Sequence, residues 1–487
     1  MLFNSIEFLI FFPVIFLLLL LVRGKWRWGL LLGASYYFYM SWQPEYIILI
    51  LISTLVDYLV TLGITSSNRQ SVKNSLLAIS IVVNLGLLVW FKYATFLATS
   101  TNATLTFIGV DGRLHVPALL LPVGISFYTF QTLSYTIDVY RGKVEREANP
   151  IVFALFVSYF PQLVAGPIER SKDLLPQLRA VADYALLNAN NIASGLRLMA
   201  WGMFKKVVVA DRLAVYVDTI YDDPTSYRGL AVILATVFFA FQIYCDFSGY
   251  SDIAIGVART LGVKLSQNFN APYFARSIPE FWRRWHITLS TWFRDYLYIP
   301  LGGNRVPDWR WRLNIIIVFA VSGLWHGVNW TFVIWGLIHG GLYLVNHYGG
   351  QLLPLSKTRR NTMFFITSAQ IGLTFICVCV AWIFFRASTF NDAMILLQNI
   401  VAFDNANWQY AWYSINFTVG GQLDIILPFI GIAIVLIVDA IIEWIPEQRI
   451  LASKFEPVRL LAYAMLLFSI LFFGLFGAEQ QFVYFQF

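Results

Sequence analysis

The chain runs to 487 residues, of which 58% are hydrophobic and only 13% charged, with a mean hydropathy of +0.66. Soluble domains carry about 25% charge, so the composition excludes an ordinary soluble fold and points to a polytopic membrane protein. The formal charge of +7 lies mostly in short loops between apolar runs, which is the pattern of the positive-inside rule and not of a nucleic-acid-binding surface.

The first apolar run, Phe8–Val22, follows Glu7 and precedes the basic RGKWRW. A secretory signal carries its positive charge before the apolar core. The run is therefore expected to be a retained first span with its N-terminus outside. Runs at about Gly29–Tyr39, Tyr46–Ile64 and Leu76–Phe91 approach the ~20 residues that a helix needs to cross the hydrocarbon layer. Arg23, Lys25 and Arg27 after the first run, and Arg69 and Lys73 after the third, mark cytoplasmic loops. Lys92–Val116 is then expected as a polar outside loop, with a glycosylation sequon at Asn102-Ala-Thr104.

The span at about Pro117–Ile137 carries Gly124, Ser126, Thr129, Gln131 and Ser134, small and polar positions suited to close packing or to lining a cavity. Ile151–Val164 is short and ends at Gly166-Pro167, so a re-entrant or interfacial helix is expected in place of a full crossing. Spans follow at about Ile192–Val209 and Leu230–Phe247. The second runs into QIYCDFSGYSD, where Gln242, Asp246 and Asp252 form either helix-packing glue at a cytoplasmic helix end or a polar wall of an active-site cavity.

Later spans are expected at about Met363–Phe385, Ile425–Ile442 and Leu460–Phe476, with a short helix near Asp392–Val401. Cys245, Cys377 and Cys379 all fall inside apolar segments, so neither a disulfide framework nor a metal cluster is indicated. The chain has no low-complexity linker and no convincing repeat. It reads as one integral-membrane domain over residues 1–487, all-α and multi-pass, with about 11–13 transmembrane or re-entrant helices.

The stretch Arg276–Gly340 interrupts this pattern. It holds three of the chain's five histidines (His286, His326, His339) and seven arginines. Ionisable groups in or beside a bilayer are costly and mark functional sites by default. Arg276–Asp295 is too charged to cross, yet it interleaves Phe281, Trp282, Trp285 and Trp292 with arginine. That pattern predicts a helix lying at the cytoplasmic interface, starting near Pro279-Glu280.

His326 follows Arg312 by fourteen positions, about 21 Å of helix, which carries it deep into the membrane. A neutral imidazole is the form favoured there, and a desolvated neutral imidazole suits a general base acting on a hydroxyl. For a lone buried histidine the competing reading is a ring satisfied by a backbone carbonyl. Gly323, Gly327 and Gly336 are expected to open space around it for a ligand. No histidine has the i,i+4 partner of a helical zinc motif, so no metal is assigned.

These residues carry a family resemblance. FWRRWHITLSTWFRDYLYIPLGGNR followed by SGLWHGVNWTFVIWGLIHG resembles the membrane-bound O-acyltransferases, in the branch that includes alginate O-acetyltransferase. FFPVIF, PVGISFYTFQTLSYTIDVYRG, VAGPIER, QIYCDFSGYSDIAIG, WIFFRA and VYFQF extend the similarity over nearly the whole chain. The resemblance implies helices around a central tunnel, with His326 as the catalytic histidine and His286 as its partner. His339, Trp325, Asn329, Gln242, Asp246 and Ser248 are then candidate tunnel residues. It further implies an acyl donor, acetyl-CoA, reaching the tunnel from the cytoplasm, with no bound cofactor. The phosphates of that donor would be drawn by Arg283 and Arg284, although anchoring to anionic membrane lipid explains the same charges.

The acceptor implied is a polysaccharide (alginate-like, cellulose or peptidoglycan), reached directly or through a secreted or periplasmic acetyltransferase partner, at a bacterial inner membrane. D-alanyl transfer to teichoic acid is the nearest alternative, and a transporter the alternative of another class. Charge sets the expected sidedness. Arg276–Arg312 contains seven arginines and three acidic residues, whereas Ala387–Gly421 contains no Lys or Arg. The first should face the cytoplasm and the second the outside.

Overall fold

A computed structural model describes residues 1–110, 113–116, 121–352, 360–402, 422–444 and 456–476. Among the described residues the regular structure is entirely helical. Among the described residues five helical stretches are long and apolar enough to cross a membrane: Pro44–Ser66, Gln70–Phe107, Leu230–Thr260, Phe365–Arg386 and Ile426–Trp444. Ile6–Leu21, Pro150–Leu163 and Arg459–Phe473 are shorter apolar helices. The described residues group into two compact units, the first formed by residues 1–199 and 253–266 and the second by 200–252 and 267–487.

In the first unit, α1 (Ile6–Leu21) begins at a Ser5 cap whose hydroxyl accepts from the Phe8 amide. α2 is Trp26–Met40, α3 Ile47–Ser66 and α4 Gln70–Leu88. A π-helical turn at Val89–Tyr93 carries α4 straight into α5 (Ala94–Phe107). The stretch expected as a polar loop from Lys92 is thus helical as far as Phe107. Its threonines turn their hydroxyls back on the helix, Thr99 to the Thr95 carbonyl and Thr104 to the Ser100 carbonyl, each at 2.9 Å. Such back-bonding lets a polar sequence remain helical. Asn102, the sequon residue, is tied to Leu114 through both its amide nitrogen and its oxygen.

α6 (Ile125–Tyr140) starts at Gly124, whose φ of 75° is left-handed and whose missing side chain makes room for the Leu163 carbonyl. The short apolar piece expected as a re-entrant or interfacial helix is a shorter apolar helical stretch, Pro150–Leu163. It forms α7 (Pro150–Ser158) and α8 (Phe160–Leu163) with a break at Tyr159. α9 (Ser171–Ala180) and α10 (Ala189–Met203) follow.

The second unit holds His286, His326 and His339. Helix α10 leads through a π-helical segment, Phe204–Ala210, into α11 (Asp211–Asp222), and α12 spans Leu230–Thr260. The stretch expected as one interfacial helix is two short ones, α13 (Ile278–Arg284) and α14 (Ile287–Phe293). Phe281, Trp282, Trp285, Leu289, Trp292 and Phe293 are all buried within protein. Their apolar surface faces protein neighbours, which accounts for the tryptophans better than a lipid anchor does.

α15 (Asp308–His326) and α16 (Trp330–Leu352) then form a tight hairpin. α17 (Arg360–Arg386), α18 (Phe390–Val401), α19 (Gln422–Trp444) and α20 (Glu456–Phe473) complete the chain. α18 matches the short helix expected there. Most of the Ala387–Gly421 segment and the VYFQF end lie outside the described residues.

The hairpin explains the glycines around His326 differently from the sequence expectation. A methyl group on Gly323 would meet the Phe332 carbonyl, its carbon at 3.0 Å, and one on Gly336 would meet the Phe319 carbonyl, its carbon at 2.9 Å. Gly327 is filled from outside by the Phe332 ring. These glycines let the two helix backbones touch, as small residues do in membrane helix pairs; they do not hollow out a ligand space. Gly323→Ala or Gly336→Ala should force the hairpin apart, at a cost of roughly 1–3 kcal/mol. The midpoint of heat-induced aggregation in detergent should fall for both, while Gly341→Ala, which has open space, should leave it unchanged.

Candidate active site

The hairpin puts His326 at the last turn of α15. The break between α13 and α14 puts His286 opposite it. Their ring centres lie 6.3 Å apart, too far for a direct hydrogen bond and wide enough for one oxygen between them. Both are buried, at 3% and 0% exposure. Trp325 bridges them, 5.0 Å from His326 and 5.9 Å from His286. Phe385 closes the His326 side at 5.5 Å.

His286 is one of two non-glycine residues, among those described, with a left-handed backbone (φ 42°); Ala271 is the other. Such a conformation costs about 1–2 kcal/mol for a residue bearing a Cβ and persists only where the surroundings impose it. Here the surroundings are visible. The Asn268 carbonyl accepts from the Ile287 amide and the Arg284 carbonyl from the Asn270 amide, both at 2.9 Å. The chain is thereby pinned on each side of His286. Burial pushes the imidazole down to about 3, so the ring is neutral at physiological pH.

His339 belongs to the same aromatic cluster but not to the pair. The Trp335 indole stands between it and His326, 5.0 Å from each. The Trp282 indole N–H donates to His339 Nδ1 at 3.3 Å. Among the described residues, nothing accepts from or donates to its Nε2.

The other residues expected near the site sort themselves clearly. Asn329 caps the hairpin: its amide donates to the Ser388 carbonyl at 2.7 Å and its oxygen accepts from the Thr331 amide at 3.2 Å. Asp246 and Ser248 face two buried lysines of the π-helical segment. Lys206 pairs with Asp246 at 2.8 Å and with Asp211 at 2.7 Å, and Lys205 donates to Ser248 at 2.8 Å and pairs with Asp252 at 2.7 Å. This is the helix-packing reading of QIYCDFSGYSD, with each buried lysine set against carboxylate, one for Lys205 and two for Lys206. Gln242 is buried on the same helix. Phe247 brings α12 to the site, its ring 4.7 Å from His286.

The two arginines also part company. Arg284 is bonded to Glu443 at 2.6 and 2.9 Å through two nitrogens, and to Glu280 at 2.6 Å. With two carboxylates on one guanidinium, it has no charge left for a phosphate. Arg283 is exposed and joins Arg294 on the rim of a cleft of about 510 Å³, whose floor is Trp282, Ile315, Val318 and Phe319. The cleft reaches the indole that holds His339.

Sequence reasoning missed Asn268, Lys205 and Lys206. Two adjacent lysines between apolar residues were a readable signal of buried charge. Asn268, in SQNFN, gave none.

Comparison with known proteins places the chain in a family. The sequence profile of the membrane-bound O-acyltransferase family matches residues 46–390. The chain is 40% identical over 407 residues to a protein of Azotobacter vinelandii named "Probable alginate O-acetylase AlgI", covering 83% of this chain and 78% of that one. A peptidoglycan O-acetyltransferase of Helicobacter pylori is 38% identical, over 77% and 73% of the two chains. A teichoic acid D-alanyltransferase of Streptococcus thermophilus is more distant, 29% identical over 50% and 61%. Family profile, helical membrane architecture and paired buried histidines converge: this chain is a member of the membrane-bound O-acyltransferase family, an O-acyltransferase.

Proposed function

We propose that the chain moves acetyl groups from a cytoplasmic thioester, acetyl-CoA, to hydroxyls of a polysaccharide on the far side of a bacterial inner membrane, directly or through a partner protein. The observation that carries this reading is the pair of buried imidazoles whose ring centres stand 6.3 Å apart. A hydroxyl held in the gap between them, hydrogen-bonded to His326 at about 2.8 Å, gives its proton to that ring as its oxygen attacks the thioester carbon. The carbon–sulfur bond then breaks, and the departing thiolate takes that proton back. The names of the alginate and peptidoglycan relatives support acetyl as the group and polysaccharide as the acceptor.

The cleft beside α13 supports entry of the donor from the arginine-rich side. Arg283 and Arg294 suit phosphates at its rim, and its apolar floor suits the pantetheine arm. Mass spectrometry of envelope glycans with and without the gene tests the reading. Loss of 42 Da acetyl increments from one polymer is the expected result; loss of D-alanine from teichoic acid would replace it with the D-alanyl alternative.

Direction of transfer rests on sidedness. Asn304 and Ser388 are both exposed and stand in the segments expected inside and outside. An impermeant thiol reagent on intact cells should label Ser388→Cys and spare Asn304→Cys until the membrane is opened. The reverse pattern would invert the proposed direction.

A further inference from the structure

The Asn268 amide is 1% exposed and lies beside His286. Its oxygen takes three contacts: from Thr288 Oγ1 at 2.9 Å, from the Thr288 amide at 3.3 Å, and with His286 Nδ1 at 3.1 Å. The Thr288 amide can only donate, so the atom it meets must be the amide oxygen and not the nitrogen. The Asn268 nitrogen donates in turn to Ser251 Oγ at 3.4 Å, which is consistent with that assignment. An oxygen cannot donate, so His286 Nδ1 must carry the hydrogen. A neutral imidazole has one N–H, and its remaining lone pair therefore sits on Nε2.

We infer that Asn268 is a positioning residue for acyl transfer, which fixes His286 in the tautomer whose Nε2 can only accept a hydrogen bond. This rests on the proposed role of the histidine pair and adds to it a specific division of labour. His326 receives the hydroxyl proton and becomes an imidazolium. His286, with a bare Nε2, turns the negative end of its ring dipole towards that cation across the 6.3 Å between the ring centres. In the opposite tautomer, Nε2–H would face the forming imidazolium donor to donor. Rings near His286 include Phe247, Phe269, Trp325 and His326. Of these four only His326 titrates, and the contact to Nδ1 comes from the Asn268 oxygen.

Two measurements test this. In the full chain labelled with ¹⁵N-histidine and reconstituted in lipid, the His286 signals, assigned by their loss in His286→Ala, should show a protonated Nδ1 and a bare Nε2. A protonated Nε2 overturns the inference whatever the enzyme's substrate. The second measurement is transfer of labelled acetyl from acetyl-CoA to alginate oligosaccharide by permeabilised membranes.

Asn268→Leu should lower kcat by about 10–100-fold with KM unchanged, as loss of a group that orients a histidine does. Asn268→Asp keeps the acceptor but sets a carboxylate on Nδ1, which raises the imidazole pKa. It should retain activity at pH 8 and lose it at pH 6, where Nε2 takes a proton, while wild type keeps its activity across that interval. Thr288→Val, a gentler probe of the same oxygen, should cost a few-fold. An Asn268→Asp profile identical to wild type, with His286→Ala inactive, would overturn the positioning role and leave the acyl-transfer reading standing. Wild-type membranes without transfer would instead overturn that reading, and the nitrogen signals would still decide the tautomer.

Discussion

His326→Gln is expected to abolish acetyl transfer, with a loss of at least about 10²–10⁴-fold, the usual range for a removed general base. Glutamine is close to histidine in reach and fills much of the space among Trp325, Trp335 and Phe385, each within 5.5 Å of the ring. The variant should therefore insert and fold as wild type, seen as an unchanged elution profile in detergent. Polymer acetate, released by mild base and quantified per cell, should fall to the level of the gene deletion. Near wild-type acetate at equal protein would remove His326 from the reaction. The α15–α16 hairpin makes this a clean test, because its close backbone contacts are at Gly323 and Gly336 and not at the imidazole.

His286→Ala should lower turnover by roughly 10²–10⁴-fold, and the backbone there offers a control. The left-handed φ of 42° is strained for alanine but free for glycine. If the loss came from a displaced chain, His286→Gly would recover much of the activity. If it comes from the missing imidazole, both variants should be equally inactive while His286→Gly is the more stable in a thermal melt. Burial also fixes the pH response. A histidine held near 3 when folded and near 6.5 when unfolded leaves the folded chain with fewer protons below the unfolded value. It therefore withholds nothing above about pH 6.5 and destabilises the fold as pH drops towards 3. His286→Gly should blunt that acid sensitivity.

Much of this protein was legible in its residues. Hydrophobic length and scarce charge dictate membrane helices, because the bilayer excludes unpaired backbone and charge alike. The cluster of histidine, arginine and tryptophan between Arg276 and Gly340 marked the site because such groups are expensive there. The fourteen-residue interval from Arg312 placed His326 near the far end of a helix, where α15 does end.

Local sequence could not show which partners each polar group finds. Asn268 reaches His286 across 18 positions and Arg284 reaches Glu443 across 159. Neither pairing has a periodicity, so an arginine that looks available for phosphate proves to be neutralised. The glycines near His326 likewise read as open space and became helix contact, because only the facing backbone decides what fills the place of a missing side chain. The polar threonines after Lys92 looked like a loop until their hydroxyls closed on their own helix. Composition and spacing are properties of one segment, and they determined the class, the long apolar helices and the place of the histidines in the chain. The tautomer of His286, the fate of each charge and the packing of the hairpin depend on segments meeting, and only the tertiary structure decided them.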